Sequence, residues 1–119
     1  MVVILLTRAF IRLPEFEKQC DNMDSDENDV MEIENAMLSN PNIGEVMVGT
    51  GSVRKFRIAL SNNKGKSGGA RIAYVDFAIY GKVYLITAFP KSEKVNLSKS
   101  EKNELKKLVK ILETEASQK

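Results

Sequence analysis

The sequence predicts one small α+β domain over residues 1–119, ordered β-α-α-β-β-β-α, with a mainly antiparallel sheet packed against helices. Three observations carry that expectation. Apolar residues recur every three or four positions before residue 40, a period of two takes over from residue 46, and helical spacing returns after Ser98. The 119 residues, 43% of them hydrophobic, suit a single core.

Met1-Val-Val-Ile-Leu-Leu6 reads as a buried first strand. It is too short to span a bilayer, and it lacks the basic start and the cleavage site of a signal peptide. Residues 7–23 carry Phe10, Leu13, Phe16 and Cys20 at helical intervals. Pro14 fits that helix only in a first turn starting near Leu13. Asp24, with Glu27 three residues on, is the expected cap of a second helix, whose stripe is Val30, Ile33 and Met37. Asn40-Pro41-Asn42 ends it after Ser39, because a residue before proline avoids the helical region.

Val53–Ala59, Arg71–Phe77 and Lys82–Phe89 read as three strands, joined by the polar loop Ser61–Gly69 and a turn at Tyr80-Gly81. Pro90 closes the third. Ser98 and Glu101 form a capping box for a last helix from about residue 99 to 114, with Leu105, Leu108, Val109 and Leu112 as its apolar stripe. Its lysines read as a solvated face ahead of an RNA-binding one. The last five residues are expected to fray.

Charge is sorted along the chain. Residues 1–53 hold three cations against ten anions, net −7; residues 54–94 hold nine cations against Asp76 and Glu93, net +7. The overall +2 conceals this separation, which argues for an anionic partner unless the acidic helices neutralise the basic strands internally.

The composition excludes several chemistries. With no histidine and one cysteine, Cys20, the chain has no zinc site, no Ser–His–Asp triad and no internal disulfide, and it suits a reducing cytoplasm. Gly65-Lys66-Ser67 imitates a P-loop, but Leu60 stands where that motif needs glycine, and a strand follows instead of a helix. The acids from Asp21 to Glu34 lack EF-hand spacing. No metal or cofactor is implied.

The basic strands hold the strongest functional signal. Lys55 and Arg57, two apart on a strand, share one face, while Phe56 and Ile58 point to the core. Arg71 opens the next strand and can lie beside that pair. Lys91 follows the third strand, and Lys64 and Lys66 occupy a glycine-bearing loop. Converging cations repel one another, and a phosphate backbone supplies their counter-charge. Single-stranded RNA suits such a surface, since arginine planes stack on splayed bases.

The pattern from Gly49-Thr-Gly-Ser through Arg54-Lys55-Phe-Arg57, Gly65-Lys66-Ser-Gly-Gly-Ala-Arg71 and Pro90-Lys91-Ser-Glu93-Lys94 resembles the RelE/ParE superfamily of bacterial toxins. Within it, the chain is similar to the HigB-type RelE-like branch. The resemblance runs essentially the full length, from Asn40-Pro41 and Gly44-Glu45-Val46 to the lysine-rich last helix. It implies a cytoplasmic, ribosome-dependent, metal-free endoribonuclease that cuts mRNA in the decoding site, contacts 16S rRNA and is neutralised by a cognate antitoxin. Lys55 and Arg57 match the family's cationic pair, Arg71 the arginine on the scissile phosphate, and Lys91 the cation after the last strand. Arg54, Lys64, Lys66, Ser92 and Lys94 are expected along the RNA. Ser92 stands where relatives carry Asn or Arg, and a tyrosine that some RelE enzymes use further on is absent.

RNA brings its own nucleophile, the 2′-OH, so the protein must align it, stabilise charge on the phosphate and move two protons. Lys55, Lys91 and Glu93 are the candidates for proton transfer; a lysine at its ordinary pKa of about 10.4 is protonated, and a carboxylate is a weak base. Dependence on the ribosome for alignment fits such unassisted groups. Two other readings share the fold: a ParE-like toxin that targets gyrase, and a non-catalytic binder of antitoxin or RNA.

Overall fold

The computed structural model describes residues 8–59, 69–90 and 97–118. Along the chain it forms β1 (Ala9–Arg12), α1 (Pro14–Asn22), α2 (Glu27–Ser39), β2 (Glu45–Val46), β3 (Arg54–Ala59), β4 (Gly69–Phe77), a 3-10 turn (Ala78–Tyr80), β5 (Lys82–Pro90) and α3 (Lys99–Ala116). The five strands make one mixed sheet in the order β1-β5-β4-β3-β2, so the chain is α+β.

Residues 9–12 are a strand, where helical spacing had suggested helix. β1 runs parallel to β5, from Ala9 opposite Lys82 to Arg12 opposite Leu85. Phe10 packs on one side of the sheet and Ile11 on the other, so the segment shows no apolar–polar alternation. Phe10 shares spacing with Phe16 and Cys20 because all three meet the same core cluster, not because they share a helix. The strand expected at residues 1–6 lies outside the described residues. Pro14 occupies the first turn of α1, whose Phe16 and Cys20 are buried.

The cap of α2 is Asp26, not Asp24. Asp24 has φ 56°, a left-handed turn conformation, whereas a cap needs extended backbone. Asp26 supplies it: its carboxylate accepts from Asp29 N at 3.0 Å, and Asp29 Oδ2 accepts from Asp26 N at 3.1 Å. Ser98 and Glu101 cap α3 as expected. That helix continues to Ala116, which is buried and whose carbonyl accepts from Lys82 Nζ at 3.1 Å.

Helices cover both faces of the sheet. Phe16, Val30, Ile33 and Met37 of α1 and α2 pack on Phe56, Ile72, Tyr74 and Leu85. Val109, Leu112 and Ala116 of α3 pack on Val53, Val75, Phe77 and Tyr84. Each fully buried large side chain contributes about 1.5–3 kcal/mol. A bulge interrupts the β4–β5 ladder: Ala73 pairs with Thr87 and Tyr74 with Leu85, so Ile86 has no partner of its own.

Candidate active site

Two cross-strand rows on the α3 face of the sheet define the site. In one, Arg57 of β3 lies directly opposite Arg71 of β4, which in turn lies opposite Phe89 of β5. In the neighbouring row, Glu45 of β2 faces Lys55 of β3, which faces Ala73. Opposed residues in an antiparallel ladder share a face. Lys55 and Arg57 therefore point away from the core while Phe56 is buried beneath, as the alternation predicts. Lys55, Arg57 and Arg71 line a cleft of about 500 Å³, with Ile43, Gly44 and Glu45 as its other wall.

That wall is held from below. Tyr74, fully buried, donates its hydroxyl to Ile43 O at 2.6 Å and reaches Pro41 O at 3.2 Å. Burial pushes its pKa up to about 12, with the charge of Arg54 pulling the other way. Arg54 Nη1 donates to Asn42 O and Gly44 O, each at 3.2 Å. Gly44, at φ 87°, lies so close to β3 that a Cβ would overlap Lys55 O, so only glycine permits this approach. Arg54, expected along the RNA, directs its Nη1 at the backbone of the cleft wall.

Lys55, Arg57 and Arg71 form no ion pair among the described residues. Arg12 Nη2 meets Glu27 at 2.7 Å and Arg12 Nε meets Glu34 at 2.9 Å, while Arg8 Nε meets Asp76 at 2.9 Å. Those carboxylates are committed on the far side of the sheet and at its other end. None reaches Lys55, Arg57 or Arg71. Arg71 Nε is moreover buried without a hydrogen-bond acceptor. A guanidinium donor without an acceptor beside a second arginine has the chemistry to take an oxyanion, since an unmet charged donor costs more than about 1–3 kcal/mol.

The Gly49-Thr50-Gly51 turn has a structural part. Gly49 and Gly51 take φ 84° and 76°, and the buried Thr50 hydroxyl donates to Met47 O at 2.6 Å and accepts from Val53 N at 3.2 Å. The turn thus delivers β3 in register and packs against α3.

Of the other expected site residues, Lys64, Lys66, Lys91, Ser92, Glu93 and Lys94 lie outside the described residues. Sequence reasoning missed Glu45, the carboxylate that the described cleft contains. The signal available was the pair Gly44-Glu45 one short strand before the cationic one, which becomes informative only with the β2–β3 register.

Residues 40–119 match a protein family described as the RelE toxin of the RelE/RelB toxin-antitoxin system. The match takes in β2 to β5, α3 and every cation of the cleft. A toxin of such a system has an antitoxin as its partner. With two thirds of its length inside that match, the chain belongs to the RelE toxin family.

Proposed function

We propose that this protein is a HigB-type toxin that cuts mRNA on the ribosome, and hence acts in the cytoplasm. The observation that carries the reading is the Arg57–Arg71 pair, opposed across the β3–β4 ladder, uncompensated by described carboxylates, with Arg71 Nε lacking an acceptor. Like charges placed directly opposite destabilise a sheet, so an anion between them is favourable. A phosphodiester fits: its two non-bridging oxygens meet the two guanidinium groups, and the clamp strengthens as the phosphorane gains charge.

The RNA 2′-oxygen forms the new bond to phosphorus and the P–O5′ bond breaks, giving a 2′,3′-cyclic phosphate and a 5′-hydroxyl. One proton leaves the 2′-OH and another reaches the departing 5′-oxygen. Glu45, on the wall facing the cations, is a carboxylate positioned to accept the first; Lys55 beside it is a donor for the second. Lys91 and Glu93 are further candidates for these transfers.

The test is primer-extension mapping of mRNA ends with the toxin, with and without translating ribosomes. Ribosome-dependent cuts that disappear in Arg71→Ala support the reading. Intact mRNA with blocked supercoiling by gyrase points to a ParE-like target, and intact mRNA with neither effect to a binding role.

A further inference from the structure

The cationic surface does not stop at the cleft. Glu45 and Lys55 also line a second cavity of about 340 Å³, and its opposite side is Leu97 and Lys102 of the α3 start. Lys102 is half-buried and Lys106, one helical turn on, is exposed. Their stems lie across the glycine turn: a Cβ on Gly49 would come 3.3 Å from Lys102 Cδ, and one on Gly51 would come 3.4 Å from Lys106 Cγ. The two glycines therefore let α3 carry these lysine stems flat against the turn, and Lys102 shares the second cavity with Lys55.

Neighbouring acids do not cancel them. Glu101 is turned back to cap the helix at Ser98 N, and Glu104 is paired with Lys107 at 3.8 Å. Glu45 lies directly opposite Lys55 and is one carboxylate for the cations on this surface. No described ion pair involves Lys102 or Lys106. Like charges four apart on a helix cost about 0.2–0.5 kcal/mol, a penalty that an anion lying along both would reverse.

We propose that Lys102 and Lys106 form a track that carries the phosphate backbone of the same RNA strand away from the Arg57–Arg71 clamp, over Lys55 and along the start of α3. The inference rests on the nuclease reading for its ligand, a single RNA strand. Arg57 and Lys55 are about 7 Å apart along β3 and Lys102 and Lys106 about 6 Å apart along α3, and the two pairs meet where Lys55 and Lys102 line one cavity.

The test is equilibrium binding of single-stranded RNA, with a 2′-deoxy residue at the scissile position, to the full chain at several salt concentrations. RNAs of about three and about twelve nucleotides bracket the footprint. On the longer RNA, the Lys102→Gln/Lys106→Gln double variant should lower the salt slope by about 1.4, and on the shorter one it should leave the slope unchanged. An unchanged slope on the longer RNA overturns the track. So does an unchanged slope accompanied by weaker binding to ribosomes or to antitoxin, which assigns the lysines to rRNA or to the protein partner. Circular dichroism melts verify that the variant is folded. Because the assay needs no cleavage, an inactive wild-type protein with the expected slope overturns the nuclease reading and leaves the track standing.

Discussion

Arg12 and Arg71 are the same residue type in two opposite situations. Arg12 reaches two carboxylates of α2, and those hydrogen bonds raise its own pKa and hold Glu27 below its usual value. Arg71 sits opposite another arginine with its Nε buried and unmet. The acidic half of the chain therefore spends its described ion pairs on securing α2 and β1 rather than on neutralising the basic strands. The contrast separates an arginine whose partners hold the fold together from one whose Nε the described fold leaves unmet, and it can be attacked from both ends.

The largest effect belongs to Arg71→Ala. Loss of a charge-stabilising donor lowers cleavage about 10²–10³-fold. Thermal stability should hold or rise, because the buried Nε that is removed has no acceptor among the described residues; a clear fall in Tm would break the comparison. Arg12→Ala should do the reverse, losing about 2 kcal/mol in denaturant unfolding through the half-buried Glu34 it abandons, with ribosome-dependent cleavage retained. Tyr74→Phe comes next. It leaves Ile43 O and Pro41 O without their donor at a cost of about 1 kcal/mol, and it loosens the wall that presents Glu45. Because burial raises the Tyr74 pKa from 10 to about 12, the wild-type stability it contributes is complete below pH 10 and lost as pH rises through 12. The phenylalanine variant should lack that alkaline component. The smallest effect is at acid pH. Glu27 is held below 4.5 by its hydrogen bond to Arg12, so this stabilisation is present above that pH and disappears as pH falls through the lowered value. Stability against pH should be flatter there in Arg12→Ala and unchanged in Arg71→Ala.

The parts of this molecule legible in the sequence are those with a strong local rule. Ser98 and Glu101 announce α3, and the alternation Lys55-Phe56-Arg57-Ile58 separates cleft from core, because capping and pleat act over a few residues. β1 was hidden because Phe10 and Ile11 are covered on opposite faces, which erases the period of two. Asp24 looked like a cap because the three-residue spacing to an acid recurs along that stretch; only backbone conformation selects Asp26. Lys55, Arg57 and Arg71 were legible as a group, whereas Glu45 and the task of Arg54 depend on strand pairings that no local pattern encodes.

The bulge at Ile86 also divides β5 into two phases. Before it, even-numbered residues such as Tyr84 face α3; beyond it, odd-numbered Thr87 and Phe89 do, in step with Arg71. Ile86 is the extra residue: removing it would restore a plain alternation in which Tyr84, Thr87 and Phe89 still share the α3 face. What would be lost is one buried apolar side chain and the local bend and extra twist that a bulge gives its strand. The end of β5 that sets Phe89 opposite Arg71 is thus aimed by strand curvature, a property of the backbone that no side chain of the cleft supplies.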